Sequence, residues 1–239
     1  LGGRYNHASV KTTDRLSPML INVEGEASPG LNNDYTYQRF NPSIGLSYQP
    51  AINSTWYASA GTSNRVPTPV ELACSDPEFP CLLPNAMAAD PFLEQVITTT
   101  LEGGYRTRWA SGANQFGFSF NVFRADNKND ILFVTDGAGS GGFFQNYGRT
   151  RRQGLELDFD WDVAAWNFGA SYQYLDATFQ SAARLSSEGN SSAVDVNGNP
   201  AVEGGFIQVQ PDNKIPGLAE HNVKLSLGYK ASTVTTLFV

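Results

Sequence analysis

Charged residues are scarce in this sequence, and long apolar runs are absent. Asp, Glu, Lys and Arg make up 16% of the 239 residues, below the roughly 25% of an ordinary soluble domain. The 16 basic and 23 acidic residues give a formal net charge of -7, so nucleic acid is not expected as a partner. No segment approaches the roughly 20 consecutive apolar residues of a membrane-spanning helix, so a membrane passage would need β-strands.

Histidine and cysteine are scarcer still, with two of each. His7 and His221 lie far apart in the chain, and no third ligand accompanies either, which does not support a zinc site or a Ser-His-Asp triad. Cys74 and Cys81 enclose a short proline-containing segment and have no histidine nearby. This spacing favours a local disulfide at a loop tip, in an oxidising compartment, and two unrelated reduced thiols are the alternative.

What the sequence does contain is a repeated alternation of apolar and polar residues, clearest in residues 116–124, 154–163 and 222–229. Successive side chains of a strand point to opposite faces, so each segment predicts an amphipathic strand. In the second segment, one face carries Leu155, Leu157, Phe159, Trp161 and Val163, and the other carries Glu156, Asp158, Asp160 and Asp162. A face with several carboxylates requires water, whereas the opposite face requires lipid or a protein core.

The connections between the predicted strands alternate between long and short. Long loops are expected near residues 14–38, 64–93, 135–142 and 180–218. Outer-membrane barrels have this asymmetry, because their periplasmic turns are tight and their extracellular loops are extended. We therefore predict an all-β fold of about nine antiparallel strands in a transmembrane β-barrel, with these loops facing outward. Both chain ends look like interrupted strands, so residues 1–239 are expected to be part of a longer barrel domain.

Aromatic residues near the expected strand ends predict the interfacial girdles of such a barrel. They are Trp56, Tyr57, Trp109, Trp161, Trp166, Tyr172, Tyr174 and Tyr229. Other aromatic residues lie in or beside the long loops, where stacking on a ligand and packing of the loops are equally good explanations. They are Tyr35, Tyr37, Phe79, Phe92, Phe143 and Phe144.

Three groups of polar residues are candidates for chemistry, and each has a simpler explanation. The acidic row has carboxylates two residues apart on one face, and this spacing is close to the roughly 6.5–9.5 Å that separates the two carboxyl groups of an inverting glycosidase. A solvated wall explains all four carboxylates at once. No catalytic residue is therefore expected. Arg149, Arg151 and Arg152 suit an anionic ligand or lipopolysaccharide phosphates, although pairing with acids inside the barrel is favoured. Residues 195–199 space oxygen ligands as calcium loops do, but their Asn-Gly is foremost a turn signal, so no metal is expected.

Four segments, in order along the chain, resemble the barrel of TonB-dependent outer-membrane receptors. They are Asn41-Pro-Ser-Ile-Gly-Leu-Ser-Tyr-Gln-Pro50, Trp56-Tyr-Ala-Ser-Ala-Gly-Thr-Ser-Asn-Arg-Val-Pro-Thr-Pro-Val-Glu-Leu72, Asn146-Tyr-Gly-Arg-Thr-Arg-Arg-Gln-Gly-Leu-Glu-Leu157 and Ile215-Pro-Gly-Leu-Ala-Glu-His-Asn-Val-Lys-Leu-Ser-Leu227. The resemblance implies a barrel of about 22 strands, closed by an N-terminal plug that these residues do not include. It also implies import of a scarce nutrient, commonly a ferric siderophore, across the Gram-negative outer membrane.

The partners implied by this resemblance are the TonB complex, which supplies energy, together with outer-membrane lipid, lipopolysaccharide and the nutrient itself. No cofactor is implied, and the sequence does not identify the ligand-binding residues. Two other functions remain open at this point. One is a passive porin-like channel, which has the same barrel physics without a plug; the other is a soluble all-β glycan-binding domain, whose apolar faces would pack together.

Overall fold

The computed structural model describes residues 1–13, 33–73, 93–135, 142–186, 190–195, 197–201, 205–231 and 235–238. The strands in these ranges are β1 (Gly2–Thr12), β2 (Asn33–Ala51), β3 (Ser54–Arg65), β4 (Val96–Ser111), β5 (Asn114–Thr135), β6 (Gly142–Val163), β7 (Trp166–Phe179), β8 (Ala183–Ser186), β9 (Phe206–Val209), β10 (His221–Lys230) and β11 (Thr236–Phe238). A short helix, α1 (Pro69–Ala73), follows β3. In the part of the chain that is described, no helix has the length and apolar character needed to cross a membrane.

Nine of the described strands form one antiparallel sheet, in the order β1-β2-β3-β4-β5-β6-β7-β10-β11. Neighbours in this order are also neighbours along the chain, except that β7 pairs with β10, because β8 and β9 form a separate hairpin. The predicted antiparallel all-β architecture and its strand number are therefore confirmed.

Two of the long connections contain more strand structure than the sequence pattern indicated. β2 begins at Asn33, inside a stretch that was expected to be irregular, because Tyr35 and Tyr37 pair with residues of β1. The longest expected loop contains the β8–β9 hairpin. In both places the backbone hydrogen bonds of an antiparallel ladder favour extended structure, and a search for alternating hydrophobicity does not detect this.

The register of the sheet separates an apolar face from a polar face. Phe118, Phe159, Ala170 and Leu225 stand opposite one another across β5, β6, β7 and β10. The adjacent cross-strand row, one residue further along each strand, lies on the polar face. It contains Ser119, Asp158, Ser171 and Lys224. Large side chains of the apolar face remain uncovered: Leu225 is 77% exposed and Leu46 is 72% exposed.

The sheet opens between β2 and β3 at the end where the long connections lie. Their backbone pairing reaches only to Ser43 and Gly61, although both strands continue beyond that point. Asparagine side chains bridge the opening: Asn64 Oδ1 accepts hydrogen bonds from Asn6 Nδ2 at 2.6 Å and from Asn41 Nδ2 at 2.7 Å. We call this region the β2–β3 split.

The largest buried core cluster lies at the same end of the sheet rather than along its length. Its members are Tyr35, Tyr37, Leu72, Leu93, Val96 and Ile131. Leu72 is fully buried, and the Tyr37 hydroxyl donates a hydrogen bond to the carbonyl oxygen of Leu93 at 3.0 Å. These contacts connect α1 and the start of β4 to the first two strands.

A capping box sets the position of α1. The hydroxyl of Thr68 accepts a hydrogen bond from the Glu71 backbone N–H at 3.2 Å, and the Glu71 carboxylate accepts one from the Thr68 N–H at 2.7 Å. Pro69 occupies the first helical position, where its missing N–H and fixed φ are favourable. Arg65, the last residue of β3, donates to the same carboxylate at 2.7 Å, so the helix is held to its preceding strand.

Substitution of Glu71 by Gln is expected to loosen α1 in a pH-dependent way. Partial burial raises the pKa of Glu71, but hydrogen bonds from Arg65 and Thr68 outweigh it and leave the pKa below its ordinary value. The carboxylate therefore stabilises the helix above about pH 4.3, and this contribution is lost as the pH falls through the lowered pKa. At neutral pH Gln can still accept the Thr68 hydrogen bond, so the substitution removes only the charge and should cost roughly 0.3–1 kcal/mol of local stability, measured as faster hydrogen exchange of the Leu72 amide in the full-length protein.

Val70→Ala is the matched control for this experiment. Val70 lies in the same helix and is 40% exposed, so its truncation should leave the pH dependence of Leu72 exchange unchanged. A difference between wild type and Glu71→Gln that does not shrink as the pH is lowered would contradict the role of the carboxylate.

Candidate functional site

The polar face of β4 to β7 carries a row of carboxylates that is hydrogen-bonded across neighbouring strands. Glu156 accepts a hydrogen bond from Gln173 Nε2 at 3.1 Å, and Asp158 accepts one from the Ser119 hydroxyl at 3.0 Å. At the short-turn end, Asp162 accepts from Asn167 Nδ2 at 2.8 Å. The row is therefore part of a polar wall, as the alternation of the sequence predicted.

A groove opens in this wall around Asp160. Its cross-strand partners are Gly117 on β5 and Gly169 on β7, so no side chain flanks the carboxylate on either neighbouring strand. Arg108 stands opposite Gly117 and lines the groove together with Asn167, giving a volume of about 490 Å³. A guanidinium of β4 and a carboxylate of β6 therefore line the same groove, an arrangement that suits a polar ligand or the polar surface of another polypeptide.

The three arginines of β6 are divided between the two sides of the sheet. Arg152 Nη1 lies 3.4 Å from Asp130 Oδ2 on the side of the polar face. Arg151 points to the opposite side, where its Nε lies 2.7 Å from Asp126 Oδ1. The expectation that these arginines pair inside the barrel is therefore wrong for Arg151, because adjacent strand residues project to opposite faces.

The aromatic residues near the long connections are used in packing. Tyr35 and Tyr37 belong to the buried cluster, and Phe144 packs against it. Phe143 lies in β6, opposite Val134 of β5. Phe79, Phe92 and both cysteines of the predicted disulfide, Cys74 and Cys81, fall outside the described residues.

A belt of rings lies on the apolar face near the short turns. Ring centroids are 4.6 Å apart for Trp56 and Tyr105, and 5.1 Å apart for Trp109 and Phe116. Trp161 with Phe168 and Trp166 with Tyr229 continue the belt at 5.1 and 4.6 Å. Tyr57, which was assigned to a girdle, lies on the polar face instead, where its hydroxyl donates to Asn121 Oδ1 at 3.3 Å.

The turn predicted at Asn197-Gly198 is present, and it uses the carboxylate of Asp195. Asp195 Oδ1 accepts hydrogen bonds from the backbone N–H of Asn199 at 2.9 Å and of Asn197 at 2.7 Å. These bonds hold the pKa of Asp195 below its ordinary value. Gly198 has a φ of +87°, which favours glycine. In the described part of the chain, no group of three or more His, Cys, Asp or Glu side chains is close enough to hold a metal ion.

Asn146 organises the long-connection end and was not singled out from the sequence. Its Oδ1 accepts a hydrogen bond from the Glu94 N–H at 2.8 Å, and its Nδ2 donates to the carbonyl oxygens of Glu94 and Asn129 at 3.0 Å each. An amide side chain thereby ties the segment before β4 to β5 and β6. The only signal in the sequence was an asparagine within an aromatic-rich strand.

Comparison with solved structures shows the same fold in three receptors and transporters of low sequence identity. The chain superposes on the copper transporter OprC with a TM-score of 0.61 and 20% identity, over 96% of this chain and 30% of that one. For the siderophore receptor PiuA from Acinetobacter baumannii the TM-score is 0.53 with 17% identity, over 89% of this chain and 26% of that one. For the hemophore receptor HasR of Serratia marcescens the values are 0.54 and 14%, over 97% of this chain and 37% of that one.

The chain matches only part of each of these structures. It spans 30%, 26% and 37% of the length of those structures, so it corresponds to a section of each. A family profile described as TonB dependent receptor-like, beta-barrel, matches residues 1–236, almost the whole sequence. The chain therefore belongs to the TonB-dependent receptor family, and its sheet is a section of the family's antiparallel β-barrel.

Proposed function

We propose that this chain forms part of the wall of a nutrient receptor in the outer membrane of a Gram-negative bacterium. The observation that carries the proposal is the match to the family's barrel over residues 1–236. The apolar face would contact lipid, because Leu46 and Leu225 remain mostly exposed, and soluble proteins rarely leave such contiguous apolar surface uncovered. The polar face would line the barrel interior, and the long connections near residues 14–38, 64–93, 135–142 and 180–218 would face the outside.

The soluble glycan-binding alternative fits this sheet less well. Such a domain would bury the apolar face under a second layer, and the described residues contain one large sheet together with a two-stranded hairpin. The belt of rings around Trp109 and Trp166 also lies at one level near the short turns, as interfacial aromatic residues do in a membrane barrel.

Import of a ferric siderophore, with energy supplied through the TonB complex, is the activity that we assign to the parent protein. In this proposal the groove lined by Arg108 and Asp160 lies on the wall of the barrel interior. It would offer one positive and one negative side chain to a polar ligand or to a polar protein surface inside the barrel. Outer-membrane lipid and lipopolysaccharide would be its partners on the outer side. A passive channel shares this wall, so the requirement for TonB is what separates the two functions.

Adjacent lysine substitutions on opposite faces test the membrane placement. Phe118 and Ser119 are neighbours in β5, and they lie on the apolar and polar faces respectively. Phe118→Lys is expected to cost about 2–4 kcal/mol of folding stability in lipid vesicles. Ser119→Lys should be tolerated, since it stands opposite Asp158. Equal tolerance of both substitutions in urea unfolding would argue against a lipid-facing apolar face.

Uptake measurements in cells test the import activity. The full-length receptor should support accumulation of a ⁵⁵Fe-labelled siderophore when TonB is present, and accumulation should fall to background in a strain that lacks TonB. TonB-independent uptake would support the passive channel instead. TonB-dependent uptake of copper or haem, without uptake of any ferric siderophore, would retain the import activity and overturn the siderophore assignment.

A further inference from the structure

On the apolar face, the apolar side chains end at one level across four strands. Val122, Leu155, Tyr174 and His221 form one cross-strand row of β5, β6, β7 and β10. The next positions on the same side, toward the long connections, are Arg124, Gln153 and Asp176. In a barrel placed as proposed above, this row marks the upper limit of the lipid hydrocarbon and the next row lies at the level of the head groups.

Above this limit, β5 and β6 carry an excess of positive charge. We call Arg124, Lys128, Arg149 and Arg151 the cationic patch. Asp126 is the carboxylate among them, and it is shared by Arg124 Nε at 2.8 Å and Arg151 Nε at 2.7 Å. Beside β7 the positive charge of Lys214 is balanced by two carboxylates. Its Nζ lies 2.6 Å from Asp176 Oδ1 and 3.0 Å from Glu220 Oε1.

The remaining two cations of the patch stand directly opposite each other. Lys128 of β5 is the cross-strand partner of Arg149 of β6, and both side chains are exposed. Like charges in opposed positions destabilise a sheet, and neither side chain forms a salt bridge with a carboxylate among the described residues. A bound anion would relieve this repulsion, and guanidinium and ammonium groups both bind phosphate.

We infer that the cationic patch binds the phosphate groups of the outer-leaflet glycolipid, lipopolysaccharide. A lipid fits better than a free anion because Val122 and Leu155 lie directly below the patch on the same side, where acyl chains would cover them. The inference rests on the proposed membrane placement of the sheet. It assigns a specific lipid site to the four residues of the cationic patch on β5 and β6, separate from the polar face that lines the interior.

The test uses the full-length receptor recovered from the outer-membrane fraction, so a failure of membrane placement would appear before lipid is measured. Purified receptor is washed with EDTA to remove lipid bridged by divalent cations, and retained lipid A is quantified. Binding to vesicles that contain lipid A with and without its phosphates is then compared. Lys128→Gln combined with Arg149→Gln should lower the affinity for phosphorylated lipid A about thirtyfold and leave binding to the dephosphorylated lipid unchanged.

A second variant separates binding from folding. Lys128→Glu places a carboxylate opposite Arg149, which should preserve or increase the stability of the sheet while still reducing binding of phosphorylated lipid A. Lys11→Gln is the matched control: Lys11 also faces this side near the long connections, but its cross-strand partner is the acidic Asp34 rather than a second cation. Its removal should leave lipid binding unchanged.

Three results would overturn the inference. They are wild-type lipid binding by the double variant, an equal loss in Lys11→Gln, and competition by millimolar inorganic phosphate, which would indicate a site for small anions rather than for lipid. Nutrient uptake is measured in parallel. Normal uptake with altered lipid binding supports the separate site, whereas unaltered lipid binding would reject the lipid site and leave the proposed import activity intact.

Discussion

The antiparallel hydrogen-bond ladder is the constraint on which the rest of this structure depends. Because side chains alternate with a period of two, the register between neighbouring strands decides which residues meet on each face. Phe118, Phe159 and Leu225 reach the same face only because β5, β6, β7 and β10 keep one register over many residues. A shift by a single residue would place Asp158 and Asp160 among the apolar side chains. Both the polar wall and the belt of rings follow from this register.

The sequence was sufficient to predict the architecture where alternation was strong. The apolar and acidic rows of β6 lie on opposite faces, as their spacing required. The sequence pattern was misleading near the long connections. Tyr35 and Tyr37 looked like loop residues because their neighbours are polar, yet pairing with β1 and burial against Leu72 hold them in a strand. Burial at that end comes from residues distant in sequence, which periodicity cannot detect.

The candidate site was only partly predictable for a similar reason. The row of carboxylates was evident from the sequence, but the groove around Asp160 depends on glycines contributed by two different strands, Gly117 and Gly169. Likewise, Asp126 joins Arg124 and Arg151 because pairing of β5 with β6 brings these residues together on one side. Such coincidences require the cross-strand register, which a single sequence does not specify.

The β2–β3 split has a mechanical consequence. From Ser43 and Gly61 toward the short turn, separating these two strands would break a ladder of backbone hydrogen bonds that shifts register once, between Tyr48 and Ala51. Toward the long connections, separation would break side-chain bonds from Asn64 to Asn6 and Asn41, together with the packing of Tyr37 against its neighbours. Amide side chains can rotate to new partners, whereas a ladder must be undone bond by bond. The sheet therefore deforms more easily at the β2–β3 split than in the paired part of β2 and β3.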